Sequence, residues 1–172
     1  RLIDADGIAG VTSNPAIFYN AIAKDPAYQA HLAELKQSLD DAEARYEALV
    51  IPDVQAACDL LLPQYRQTEA ADGYVSLEVS PFLANDEAAT LAAARRLWQA
   101  VNRPNLMIKV PATAAGIAAF EQLIAEGLNV NITLMFSQRH VEQVFDAYVR
   151  GLERRLAAGQ PLHGIKAVAS VF

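Results

Sequence analysis

Residues 105–117 read NLMIKVPATAAGI. Leu106 to Val110 is a short apolar run with strand character, Pro111 closes it, and Thr113 is placed to cap a helix that follows. Lys109 stands inside that run. An ammonium taken out of water is expensive, so a lysine in this position lowers its pKa, finds a partner or faces a wet cavity. The first and third conditions are those that amine catalysis needs.

Outward from this segment, four more runs read as strands: Gly10–Ser13, Val75–Val79, Val130–Leu134 and Ala167–Val171. Helical patterns separate them. Asn85 can cap one, with Asp86 and Glu87 in its first turn and Leu91, Ala94, Trp98 and Val101 on one face. Thr113 begins another, carrying Ile117, Phe120 and Ile124 and stopping at Gly127. From Ser137 to Ala158, residues Val141, Val144, Phe145, Tyr148, Val149, Leu152 and Leu156 form one stripe, ended by Gly159 and Pro161. Between about 15 and 71 the chain reads as several helices, with Pro26, Pro52 and Pro63 as breaks or first-turn positions.

Strands alternating with helices of this length give βαβ units and a parallel sheet in an α/β fold. No low-complexity linker interrupts them, so residues 1–172 read as a single domain. Two architectures compete, a (β/α)8 TIM barrel and an open doubly wound sheet. The open sheet would be favoured by a GxGxxG or Walker-type phosphate loop, and the sequence has neither.

The bulk numbers exclude some classes. A net charge of −6 argues against a nucleic-acid partner, whose grip comes from clustered Lys and Arg. No apolar stretch is long enough to span a membrane, and the N-terminus lacks the layout of a signal peptide. The single cysteine, Cys58 in VQAACDLLL, reads as a buried structural thiol and fits a reducing compartment, so a cytoplasmic location is expected.

Side chains alternate across a strand, so parity sorts them. Ser76, Glu78 and Ser80 share one face, as do Met107 with Lys109, Asn129 with Asn131 and Thr133, and Val168 with Ser170. The first strand ends in Thr12 and Asn14. The other faces, Leu77 with Val79, Leu106 with Ile108 and Val110, and Val130 with Ile132 and Leu134, are apolar and suit an outer helix layer. In a barrel the polar set points inward, toward the C-terminal mouth where barrel active sites lie. Asn14, Glu78, Lys109, Asn131, Thr133 and Ser170 then converge, and Lys109 is tolerated because its cavity is polar and wet. A lysine with a carboxyl group, two amides, two hydroxyls and no metal-ligand cluster points to Schiff-base chemistry, in which an iminium serves as electron sink for C–C cleavage.

Plainer explanations stand beside this one. Asn14 before Pro15 makes a good helix cap. Glu78 and Lys109 can form a structural ion pair. Asn131 and Thr133 can mark a strand end, and Ser170 can be small-residue packing. Lys166 is the rival amine, but it sits at the start of its strand. His31, His140 and His163 show no consistent ligand spacing and are given no role.

GVTSNPAIF (10–18), GYVSLEVSP (73–81), NLMIKVPAT (105–113) and GLNVNITLMFS (127–137) resemble transaldolase, in the bacterial branch that includes fusions to phosphoglucose isomerase. The similarity covers essentially the whole chain. It implies a class I aldolase-type (β/α)8 barrel. It also implies transfer of a dihydroxyacetone unit from a ketose phosphate to an aldose phosphate, in the non-oxidative pentose phosphate pathway and without a cofactor. On the resemblance, Lys109 matches the Schiff-base lysine, and Glu78 and Thr133 match the residues that hold a proton-carrying water. Asn14 and Asn131 match substrate-binding amides, and Ser170 matches the serine of the sixth barrel strand.

Two departures follow from the same resemblance. The family's acid/base aspartate lies on a strand before this segment, and Asp4 and Asp6 align with the helix and turn after that strand, so neither takes its role. The phosphate-binding arginine is expected beyond Phe172. The chain is therefore expected to hold five of eight βα units, truncated at both ends, with open sheet edges and no closed barrel. Sugar phosphates are the expected partners, and a homo-oligomer or a fused isomerase domain in the parent is left open. A class I aldolase that releases its product to water and a non-catalytic barrel fragment acting as a binding module are the alternatives. Phe172, which places no hydroxyl two positions after Ser170, favours the transferase.

Overall fold

A computed structural model describes residues 2–172, apart from the side chains of Leu2 and Asp4. The comparison of Asp4 with a catalytic acid thus lies outside the described residues, while Asp6 is exposed at the end of helix α1 (Leu2–Asp6). Five strands follow: β1 (Gly10–Thr12), β2 (Tyr74–Glu78), β3 (Leu106–Pro111), β4 (Val130–Met135) and β5 (Ala167–Val171). All pair in parallel, in the order β1-β2-β3-β4-β5. Helix α4 (Ala42–Gln67) precedes β2, and α5 (Glu87–Val101), α6 (Ala114–Glu126) and α7 (Gln138–Ala157) follow β2, β3 and β4. This is a parallel half-barrel with alternating helices, and it carries no open-sheet crossover.

Curvature is visible in side-chain contacts. Ser76 on β2 and Asn131 on β4 are separated by β3, yet Asn131 Nδ2 donates to Ser76 Oγ at 3.2 Å. Next-but-one strands of a flat sheet lie almost 10 Å apart, too far for a serine and an asparagine to touch. The face they share is concave. The convex face carries Val75, Leu77, Leu106, Ile108, Val110, Val130 and Ile132, all buried against α4 to α7.

Local chemistry sets the helix ends. Asn14, Asp25, Asp41, Thr113 and Ser137 each accept a backbone N–H of their own helix. For α5 the cap is Asp86 rather than Asn85, because the Asp86 carboxylate reaches Ala89 N at 2.9 Å. Pro26 opens α3 (Pro26–Ser38) as expected. Pro52 and Pro63 do not break the chain into separate helices: both lie inside the 26-residue α4. Each is exposed, on the side away from Leu49, Val50, Val54, Cys58 and Leu61. A proline there removes a hydrogen bond whose freed carbonyl can take water instead.

The apolar stripe of α7 also divides. Val144 is buried and Tyr148 and Leu152 pack on the core, whereas Phe145, Val149 and Leu156 are exposed. The stripe is wider than the one neighbour, α6, can cover, and no described helix lies on its other side.

Asn105, fully buried just before β3, ties the layers together. Its Nδ2 donates to Cys58 O at 2.9 Å and to Gly73 O at 2.8 Å. These two carbonyls require the NH2 end, and Oδ1 is left without a partner among the described residues. Asn105→Leu is expected to strand the Gly73 carbonyl, to take from Cys58 O the bond it accepts besides its own helix bond, and to lower stability by about 1–2 kcal/mol, since an unpaired buried group costs roughly 1–3 kcal/mol and removal of Oδ1 offsets part. Urea unfolding of the variant reads this directly. An unchanged midpoint would show that the amide is not a tie. Burial pushes the Cys58 thiol up to about 12, so it stays a neutral core group.

Candidate active site

Parallel register places the polar residues. Glu78 pairs with Lys109 and Lys109 with Asn131, so the three stand side by side on adjacent strands. One step toward the C-terminal ends, Thr133 pairs with Ser170. Lys109 Nζ lies 3.1 Å from Glu78 Oε2, and the two side chains are only 11% and 12% exposed. A second acceptor, the main-chain carbonyl of Ser13, lies 3.3 Å from Nζ. Lys109 Nζ thus has two acceptors within hydrogen-bond reach.

Around this pair a chain of hydrogen bonds joins β2, β3, β4 and β5 to Ser13, the residue that follows β1. Ser170 Oγ donates to Asn131 Oδ1 at 2.9 Å, and Asn131 Nδ2 donates to Ser76 Oγ. Ser76 O accepts from Ser13 Oγ at 2.8 Å, and the Ser13 carbonyl meets Lys109. Lys109, Glu78, Asn131 and Ser170 are therefore brought together. Thr133 is buried at the same end of the sheet. Asn14 is held at the β1–α2 junction, where its Oδ1 accepts from Ile17 N at 2.8 Å and caps α2 (Pro15–Lys24). That cap uses the amide oxygen, and among the described residues the NH2 group has no hydrogen-bond partner. Lys166 precedes β5 at the opposite end of the sheet, where its main chain meets Asn129 and Val130. Among the described residues no group of three or more His, Cys, Asp or Glu side chains could hold a metal ion.

Two features of the site were not singled out from the sequence. Ser76 shares the parity of Glu78, which could have marked it as a partner for Asn131. Leu134 carried no signal at all. It adopts φ +65°, the left-handed region that disfavours a side chain by about 1–2 kcal/mol. It is the extra residue of a bulge, because Thr133 pairs with Ser170 and Met135 with Val171, the very next residue of β5. Leu134 therefore does not continue the apolar face of Val130 and Ile132, as parity had implied. The bulge instead lets Thr133 stay with the polar face while Met135 enters the helix-side core.

On the other side of Glu78, a cavity of about 490 Å³ lies between α2, α3, α4 and the end of β2. Glu78, Tyr46 and Phe82 line it, and Lys109 does not. Burial pushes the Tyr46 phenol up to about 12, and the nearby Glu78 and Glu47 carboxylates add to the effect. Tyr46 stays neutral and adds no second negative charge beside Glu78.

A parallel, curled β/α sheet that gathers an amine–carboxylate pair and two amides at its C-terminal strand ends is a half-barrel with its polar cluster at the end where barrel active sites lie. The family model for Transaldolase/Fructose-6-phosphate aldolase matches residues 1–172, and the chain belongs to that family. It is 56% identical to the transaldolase of Thiobacillus denitrificans over 172 residues, covering 100% of this chain and 48% of that protein. It is 49% identical over 166 residues to the transaldolase of Neisseria gonorrhoeae (96% of this chain, 47% of that protein). To transaldolase 2 of Nostoc sp. it is 48% identical over 173 residues (100% and 45%). The chain thus spans about half the length of the curated relatives it matches. No helix of the described residues is long and apolar enough to cross a membrane.

Proposed function

We propose that this chain is the lysine-bearing part of a longer transaldolase, a single partial barrel domain of a transferase that moves a dihydroxyacetone unit between sugar phosphates. The observation that carries the reading is the Lys109–Glu78 pair, nearly buried at 3.1 Å on the polar face of neighbouring parallel strands. Relatives that match 96–100% of the chain and bear the name transaldolase support the same reading.

In this reading the neutral Lys109 amine attacks the C2 carbonyl of a ketose phosphate such as fructose 6-phosphate or sedoheptulose 7-phosphate. The carbinolamine loses water to give an iminium, and Glu78 with Thr133 hold the water that carries these protons. Loss of the C4 hydroxyl proton breaks C3–C4, releases an aldose phosphate and leaves an enamine on Lys109. The enamine carbon then adds to a second aldose phosphate, and water returns the free lysine. Asn14, through its free NH2, and Asn131 hold the hydroxyls of the three-carbon unit, and Ser170 orients Asn131. No side chain among the described residues is assigned the proton transfer of the cleavage step. The enamine stores the carbanion on Lys109, so this route draws on no cofactor.

The test is to incubate the full-length protein with fructose 6-phosphate, reduce with borohydride and map peptides by mass. A dihydroxyacetone-sized adduct on Lys109 is the expected result. A folded protein that gives none sinks the Schiff-base reading and returns the lysine to a structural ion pair. Transfer to erythrose 4-phosphate, outpacing free aldol cleavage, separates the transferase from an aldolase that releases its product to water.

A further inference from the structure

Ladder pairing between β1 and β2 stops at Thr12↔Ser76. There the Ser13 N–H makes the last ladder bond, and the Ser13 hydroxyl doubles it into a clip. Both its N–H (3.3 Å) and its Oγ–H (2.8 Å) donate to the carbonyl of Ser76. The residue is 7% exposed, and Asn14 on its other side is pinned as the α2 cap. The Ser13 peptide is therefore fixed from both flanks, with its carbonyl turned toward Lys109 Nζ at 3.3 Å.

We propose that Ser13 is a positioning residue for Lys109: its hydroxyl clip on β2 holds the main-chain carbonyl that directs the amine. This rests on the Schiff-base reading above and adds a residue to it. Nζ is tetrahedral, so two acceptors at fixed places, Glu78 and the Ser13 carbonyl, decide where its remaining valence points. The neutral amine keeps two N–H bonds and a lone pair. With one N–H on Ser13 and the other on Glu78, the lone pair has a single direction, which is the geometry a substrate carbonyl must meet. The iminium keeps one N–H, and the Ser13 carbonyl can retain it while Glu78 turns to water. Of the two donors in the clip, the hydroxyl is the shorter and the one a mutation can remove. Ser13 also precedes Asn14, so the same clip sets where the proposed substrate amide begins.

The experiment uses the full-length protein and its Ser13→Ala, Ser13→Thr and Ser13→Val variants, the last two of equal shape and differing in the hydroxyl. Two rates are measured on Lys109 by peptide mapping: labelling by trinitrobenzenesulfonate, with Lys24 and Lys36 as internal references, and borohydride trapping with fructose 6-phosphate. An indiscriminate electrophile gains from a loosened amine, whereas imine formation needs its direction. In Ser13→Ala, Lys109 labelling is expected to rise about two- to tenfold, the worth of one net hydrogen bond, with Lys24 and Lys36 unchanged. Trapping is expected to fall roughly ten- to a hundredfold. Ser13→Thr restores both rates and Ser13→Val does not, a contrast that stands even where Ser13→Ala fails to fold. Unchanged rates, or a rise shared by all three lysines, overturn the inference. Selective labelling changes in a protein that forms no adduct even as wild type would instead overturn the Schiff-base reading, and any role in the reaction with it, while keeping the Ser13–Lys109 contact.

Discussion

Lys109→Met in the full-length protein is expected to remove dihydroxyacetone transfer, by roughly 10⁴-fold or more, the order seen when a covalent nucleophile is deleted. Methionine replaces the four-atom stem of the lysine and discards the amine, so no imine can form. Stability is also expected to fall, because Glu78 is left at 12% exposure without its cation. Breaking a buried pair from one side costs about 3–5 kcal/mol, and the residual exposure here places the loss at the lower end. Adding Glu78→Gln separates the two effects. The double variant is expected to recover most of the thermal stability, since no charge is stranded, and none of the activity. If instead the double variant regains turnover, the pair is an architectural ion pair and the chemistry lies elsewhere. Steady-state transfer assays and thermal unfolding of the two variants decide it.

Gly116→Ala carries the largest expected structural effect. Alanine improves the intrinsic helix preference of the site by about 1 kcal/mol, and on that ground the change would stabilise α6. Contact geometry reverses the sign. A Cβ on Gly116 would fall 1.9 Å from the carbonyl oxygen of Pro111, a backbone atom that no rotamer can move. The first turn of α6 must lift from the end of β3, disturbing the cap in which Thr113 Oγ1 accepts from Gly116 N at 3.0 Å. Overpacking of a core side chain costs typically 1–3 kcal/mol, and a clash on backbone is expected to exceed the top of that range. At about 2–4 °C per kcal/mol, the melting temperature should drop by roughly 6–12 °C. Gly159→Ala is the companion measurement. There the added carbon meets nothing within 4 Å, and only the left-handed φ of +68° is penalised, by about 1–2 kcal/mol. Equal losses at the two glycines would remove the close approach from the explanation. Because Pro111 is two residues from Lys109, Gly116→Ala should also reduce turnover of whatever protein still folds.

The strands were readable because each is a short apolar run bounded by turn residues, and all five formed within a residue or two of the expected bounds. Parity then sorted Glu78, Lys109, Asn131 and Ser170 onto one face without any knowledge of their neighbours. Contacts made by main-chain atoms were beyond reach. The carbonyls of Ser13 and Ser76 hold the centre of the network, and a carbonyl looks the same in every residue. Leu134 misled for a related reason, since a bulge is a count of residues against a partner strand and the partner is not local. Pro52 and Pro63 misled because proline's effect depends on which side of a helix it occupies, and that side is set by packing. The division of the α7 stripe likewise depends on which neighbours are present.

The contact between Ser76 and Asn131 across β3 bears on how such folds can be assembled. The bend needed for that contact is made within three consecutive strands, β2 to β4. Three adjacent strands are thus enough to bring side chains of next-but-one strands together on the concave face.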